Sequence, residues 1–260
     1  MKNRIEALFN RKPNSVLSIY FTAGYPSIGD TAQVIKSLDK AGVDFIEIGI
    51  PFSDPVADGP VIQRSSEIAL ENGMTMKLLF EQIADIRQHV SPELPLLLMG
   101  YINPVLRYGL DAFCAKAQEI GIDGIILPDL PMQEYIEEYK PVFEKYGLVN
   151  IFLITPVSSE ERVRWIDENS NGFIYMVATA GTTGTRSDVT SEQEDYFARI
   201  KSYNLKNPIV AGFGISDKST FEKATSIANG AIIGSAFVKS LTIGGNLETE
   251  IEGFVSSVIK

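Results

Sequence analysis

Three carboxylates stand close together in residues 46–60: Glu47, Asp54 and Asp58. Glu47 sits inside Ile46-Glu47-Ile48-Gly49-Ile50, an apolar run rich in β-branched residues. Asp54 and Asp58 follow in Pro51-Phe52-Ser53-Asp54-Pro55-Val56-Ala57-Asp58-Gly59-Pro60, a turn-forming segment. Burying a carboxylate in a strand costs free energy unless a partner or a task compensates. The nearby acids repel Glu47 rather than pair with it. Carboxyl groups gathered at the end of a buried strand, with pKa values moved toward neutrality, fit general acid–base chemistry. Asp54 and Asp58 also admit a structural role, because aspartate before Pro or Gly is common in turns. Asp129, after Leu127-Pro128, has the same double reading.

Two glycine turns near the end of the chain supply a different chemistry. They are Gly212-Phe213-Gly214-Ile215-Ser216 and Gly234-Ser235-Ala236. Glycine lets backbone N–H groups approach an anion closely, so the pair reads as a phosphate site. Taken singly, each is an ordinary tight turn. The small polar loop at 179–188 reads as a lid whose hydroxyls would orient an anionic substrate, or as a plain surface loop.

What is missing narrows the mechanism further. No lysine lies in or at the end of an apolar run, against a Schiff-base route. The single histidine, His89, lies in a polar segment and reads as a surface residue. The single cysteine, Cys114, lies in a helical pattern and reads as core. One histidine gives little material for a catalytic metal or a Ser/His/Asp triad. What remains is carboxylate acid–base chemistry on a phosphorylated small molecule.

The elements that must position these groups alternate along the chain. Short apolar runs occur at 16–21, 45–50, 96–101, 124–127, 150–154, 173–178, 208–213 and 231–234. Amphipathic segments between them include 30–41, 75–89, 110–121, 132–146, 159–168, 192–203 and 218–228. Apolar strands alternating with helices predict a parallel sheet covered by helices. Eight such units in 260 residues predict a single (β/α)8 TIM barrel over 1–260. A doubly wound open sheet is the alternative, but Thr22-Ala23-Gly24-Tyr25-Pro26 after the first run is no G-x-G-x-x-G. Residues 1–12 read as an extra N-terminal amphipathic helix rather than a signal peptide. In a barrel, the chemistry belongs at the carboxyl ends of the strands, where Glu47, Asp58, Asp129 and the glycine turns fall.

The net charge of −10 argues against nucleic acid as a partner. No apolar run approaches the ~20 residues of a membrane span. A lone cysteine without a secretory signal points to the cytoplasm.

The residues of 46–59 resemble the signature of the tryptophan synthase α chains. The resemblance extends in order through Phe21-Thr22-Ala23-Gly24-Tyr25-Pro26, Met99-Gly100-Tyr101-Ile102-Asn103-Pro104, Leu127-Pro128-Asp129-Leu130-Pro131, Gly212-Phe213-Gly214-Ile215-Ser216 and 230–238. It implies a (β/α)8 lyase that cleaves indole-3-glycerol phosphate to indole and D-glyceraldehyde 3-phosphate, in L-tryptophan biosynthesis. It implies Glu47 as the principal acid–base catalyst and Asp58 as the group facing the indole N–H. By the same resemblance Tyr20, Ile62, Leu98, Leu127, Tyr175, Phe213 and Ile232 surround the indole. Gly184, Gly214, Gly234 and Ser235 bind the phosphate, and Thr183 in the lid bonds the catalytic aspartate on closure.

The family also implies a β chain as partner in an α2β2 assembly. Pyridoxal phosphate would be held only by that β chain, and the α chain itself would need no cofactor. Loops 52–55 and 103–107 would meet the partner, which gives Asp54 an interface role to set against a turn role. One stretch departs from the family pattern: the lid reads Gly181-Thr182-Thr183-Gly184 where Gly-Val-Thr-Gly is usual. Two competing functions share these features. One is a phosphosugar isomerase or epimerase, which would not explain the aromatic and aliphatic wall. The other is a regulatory subunit that binds a phosphate ligand and a partner without turnover.

Overall fold

The computed structural model describes residues 3–177, 191–212, 214–241 and 245–260, with the backbone alone for 191–194. The apolar runs form eight short strands: β1 (Val16–Thr22), β2 (Phe45–Gly49), β3 (Leu96–Met99), β4 (Gly124–Ile126), β5 (Val149–Ile154), β6 (Ile174–Val177), β7 (Ile209–Gly212) and β8 (Gly230–Ile233). Each pairs in parallel with the next, and β1 pairs with both β2 and β8. The sheet is therefore a closed barrel. An open doubly wound sheet would leave two free edges.

The strands are largely apolar on both faces because both faces are covered, with Ser18, Glu47 and Asn150 among the buried exceptions. Side chains alternate along a strand, so each run serves two cores. The inner one holds Val16, Tyr20, Phe45, Leu97, Ile126, Ile151, Tyr175, Val210 and Ile232. The outer one packs Leu17, Ile19, Phe21, Ile46, Ile48, Leu96, Leu98 and Ile125 beneath the helices.

Most predicted helices form close to their expected places, as in Thr31–Ala41, Leu110–Ile120, Glu160–Asn169 and Lys218–Thr225. The segment 132–146 departs from one regular helix. It runs as Met132–Glu134, a π turn at Tyr135–Tyr139 and Lys140–Lys145. Pro141 has no N–H to continue the i→i−4 ladder, and the ladder shifts its register there. Helix Pro60–Glu71, which starts with Pro at its first position, follows β2 after the loop 50–59. A short extra helix, Ser235–Ser240, follows β8 before the last outer helix, Leu247–Ile259.

The N-terminal helix Arg4–Arg11 closes the amino-terminal end of the barrel. Asn3 caps it by accepting the Ile5 N–H at 2.8 Å. Its apolar stripe, Ile5, Leu8 and Phe9, joins the inner core, with Phe9 packed on Phe173. A buried carboxylate ties this end together. Asp123 pairs with Arg4 at 2.9 Å and Arg87 at 2.7 Å, and accepts the Leu96 N–H at 3.0 Å. Removing it leaves two cations facing each other without their shared anion. Asp123→Ala is expected to destabilise the fold by about 3–5 kcal/mol in urea melts. Turnover per folded molecule should be retained, because Asp123 is at the opposite end from the strands' carboxyl termini.

Candidate active site

The carboxyl ends of the strands enclose a cavity of about 130 Å³. Two tyrosines wall it because glycine opposite each leaves room. A Cβ at Gly49 would lie 2.2 Å from the Tyr20 hydroxyl oxygen, and one at Gly212 would lie 2.3 Å from the Tyr175 ring. Alanine at either position would push a ring into the cavity. Ile62 reaches the cavity from the first turns of helix Pro60–Glu71, and Ile232 from the inner face of β8.

Asp58 lines the cavity and is held in place by Tyr101 and Gln63. The Tyr101 hydroxyl donates to its Oδ2 at 3.2 Å and accepts the Ala57 N–H at 3.1 Å. Gln63 Nε2 donates to the Asp58 carbonyl oxygen at 2.9 Å. Phe52 stacks on the Tyr101 ring with centroids 5.0 Å apart. Burial raises the Asp58 pKa to about 6, against the pull of the Tyr101 hydroxyl. The sequence reading did not single out Tyr101, because only the barrel brings the start of the 102–108 helix against the loop after β2. Tyr101→Phe is expected to move the acid limb of the kcat/KM profile upward and to lower kcat/KM about tenfold, as loss of one hydrogen bond to a charged group does.

Glu47 stands beside Tyr20 on β1 and Leu97 on β3 in the strand register. Its side chain is wholly buried and is not part of the cavity lining. Neither carboxyl oxygen has a hydrogen-bond partner among the described residues. Desolvation pushes its pKa up to about 8, and the nearby Ser18 hydroxyl pulls the other way without reaching hydrogen-bond geometry. Burial thus favours the protonated acid at Glu47, which is in register with the cavity residue Tyr20 but is not itself on the lining.

The loops after β7 and β8 supply another part of the wall. Gly214, Gly234, Ser235 and Ala236 line it. Gly214 has φ +51°, a left-handed conformation that favours glycine. The helix at Ser235–Ser240 starts at Gly234 with no side-chain cap, so its first N–H groups are available. This is the place after the seventh and eighth strands where such barrels hold phosphate.

Of the expected site residues, the fold brings Tyr20, Asp58, Ile62, Tyr175, Ile232, Gly214, Gly234 and Ser235 to one cavity. Leu98 and Leu127 are corrections. Both belong to the outer core beneath the helices, and Met99 and Pro128 line the cavity in their places. The strand alternation explains this: one step along the chain turns a side chain to the other face. Leu153 and Val177, also on the wall, escaped the sequence reading. Thr183, Gly184 and Phe213 lie outside the described residues. Asp129 is structural, since its carboxylate accepts the Ile102 N–H at 3.0 Å and starts the Ile102–Tyr108 helix. Asp54 is exposed, off the cavity, and accepts from Ser53 at 2.5 Å. Cys114 is buried, its thiol pushed up to about 12 by desolvation, so it is no nucleophile.

The family model described as "Tryptophan synthase alpha chain" matches residues 7–256. The chain is 57% identical to the tryptophan synthase alpha chain of Flavobacterium johnsoniae over 95% of this chain and 96% of the relative. Its structure is similar to the tryptophan synthase alpha chain of Legionella pneumophila, with a TM-score of 0.88 at 32% identity over 99% and 96% of the two chains. It is also similar to a chain of the tryptophan synthase complex of Pyrococcus furiosus, with a TM-score of 0.82 at 33% identity over 95% and 98%. The match in sequence spans nearly the full length, and the fold and cavity agree with it: the chain belongs to the tryptophan synthase alpha chain family.

Proposed function

We infer that the chain cleaves indole-3-glycerol phosphate to indole and D-glyceraldehyde 3-phosphate, a carbon–carbon lyase step of L-tryptophan biosynthesis, with Glu47 and Asp58 as its acid–base groups. One observation carries the assignment of roles. Asp58 and the glycine turns after β7 and β8 line a single cavity, Glu47 is buried on the strand that leads to Asp58, and burial raises the pKa of both carboxyl groups. The distance along the chain between Asp58 and these turns is bridged only by barrel closure.

The steps follow from the substrate. Breaking the bond to indole C3 requires that carbon to be protonated first. Protonated Glu47 delivers that proton. The positive charge spreads to the ring nitrogen, where ionised Asp58 stabilises it and draws on the N–H proton. Glu47, now a carboxylate, takes the proton of the glycerol hydroxyl on the adjoining carbon as the C–C bond breaks. The electrons of that bond return to the ring, and an aldehyde leaves. Glu47 ends protonated, as it began. Because Glu47 is not on the cavity lining, its side chain turns toward the cavity to act once substrate is bound. Tyr20, Ile62, Met99, Tyr175 and Ile232 form the indole wall, and Gly214, Gly234 and Ser235 hold the phosphate. Thr183, Gly184 and Phe213 keep the lid, phosphate and indole roles that the family resemblance implies.

Among the described residues no group of three or more His, Cys, Asp and Glu could hold a metal, and no helix is long and apolar enough to cross a membrane. We place the protein in the cytoplasm, paired with a β chain in an α2β2 assembly, with pyridoxal phosphate confined to that β chain. Val56 on the loop after β2 and Leu106 in the helix Ile102–Tyr108, 82% and 47% exposed, support a partner surface there.

The test is an assay of indole release from indole-3-glycerol phosphate, by the isolated chain and then with β chain added. The kcat/KM profile is expected to be bell-shaped between about 6 and about 8, because Asp58 must be ionised and Glu47 protonated. No release in either assay would leave only the binding role.

A further inference from the structure

The interior beneath the cavity holds a second polar group that the mechanism above does not use. Ser18 lies on the inner face of β1, two residues before Tyr20, and is wholly buried. Its strand neighbours in register are Phe45 and Ile232. Tyr20 is the register partner of Glu47, so Ser18 lies one step deeper on the diagonal from Glu47. Around them the inner core is Phe45, Leu97, Ile126 and Phe173. In this apolar compartment Ser18 Oγ, Glu47 Oε1 and Glu47 Oε2 are all buried without a hydrogen-bond partner among the described residues. An unpartnered buried oxygen is unfavourable, and here each has its remedy beside it.

We propose that Ser18 is a positioning residue for Glu47: its hydroxyl is the partner to which the carboxyl turns inside the barrel when no substrate is bound. A rotation about the Ser18 side-chain bond or the Glu47 side chain brings the two into contact. The chemistry of the hydroxyl suits a group that changes protonation state. It accepts from the protonated acid and donates to the carboxylate, so one residue serves both states of the cycle. Valine, which lacks the hydroxyl, would serve neither.

The other ionisable groups around Glu47 are Tyr20 on β1, Tyr175 on β6 and Asp58 beyond β2, with Tyr101 behind Asp58. Burial and the carboxylates raise the pKa of both Tyr20 and Tyr175, so they stay neutral across the working range. The inner faces of the remaining strands are apolar or glycine, as at Leu97, Ile126, Ile151 and Ile232. Ser18 is therefore the group whose loss acts on Glu47 most directly. Its pull on the carboxyl is downward, against desolvation.

The inference rests on Glu47 being the acid–base group, and the test separates the two. Ser18→Val and Ser18→Thr differ only in the hydroxyl and are compared with the wild type and Glu47→Gln. Indole release is measured against pH, with kcat and KM resolved. Ser18→Val should move the basic limb of kcat/KM upward by about one pH unit, the size of one hydrogen bond to a charged group. KM should change by less than about twofold, since Ser18 is not on the cavity wall. Ser18→Thr should restore the limb. If Ser18→Val does not fold, Ser18→Ala takes its place. A basic limb that stays put in the hydroxyl-less variant, while Glu47→Gln is inactive, overturns the role of Ser18, whatever happens to stability. An active Glu47→Gln overturns instead the assignment on which it rests.

Discussion

Glu47→Gln is expected to lower kcat for indole release by roughly a thousandfold or more, because one group acts as acid and then as base. Glutamine keeps the shape but neither gives nor takes a proton. The fold and the affinity for a phosphate ligand should survive, since Gly214, Gly234 and Ser235 come from the loops after β7 and β8 and not from β2. Near-normal turnover would sink the assignment.

The same substitution has a second, opposite effect on stability. Burial raises the Glu47 pKa from 4.5 to about 8. Between those values the native chain holds a proton that the unfolded chain has released. Stability therefore falls as pH rises through that window and is lowest above it. Glu47→Gln carries no such loss. Its Tm should exceed that of the wild type well above pH 8 and converge with it toward pH 4.5, where both forms are neutral in that position. A variant both inactive and more stable in alkali is the signature of a group kept buried for chemistry.

Asp58→Asn is the second large effect. On the proposed mechanism it removes the negative charge that faces the ring nitrogen as positive charge develops there. The loss in kcat should be about a hundred- to a thousandfold, comparable to deleting a group that stabilises transition-state charge. The Tyr101 and Gln63 contacts leave the loop in place, so the cavity should keep its shape. Asp54→Asn, on an exposed side chain off the cavity, should be much milder toward the isolated reaction. Equal losses in the two variants, measured on the chain without β chain, would show that Asp54 has been misplaced.

Much of this site is legible in the sequence, for reasons that also mark where legibility ends. The β-branched runs declare the eight strands, and Glu47 stands out because its neighbours are all apolar. The glycine turns at Gly214 and Gly234 read as places for close backbone approach, and the barrel puts them after β7 and β8. Which face a strand residue takes is harder. Strands covered on both sides show no polar alternation, so Leu98 and Met99 look equally suited to the cavity. Only the register settles the matter, in favour of Met99 and Pro128. Tyr101 and Ser18 depend on contacts between separate elements, which periodicity does not encode. Asp129 carries the same local signal as Asp58, yet it caps a helix, and the difference lies wholly in tertiary placement.

The central claim is that a buried, protonated Glu47 supplies the reaction's proton. Infrared difference spectroscopy of the wild type against Glu47→Gln reads that proton directly, through the carbonyl stretch of a neutral carboxylic acid. The account predicts such a band at neutral pH in the wild type, absent from the variant, that titrates away near pH 8 in step with the basic limb of kcat/KM. A Glu47 already ionised at neutral pH, with no such band and full activity, would contradict it.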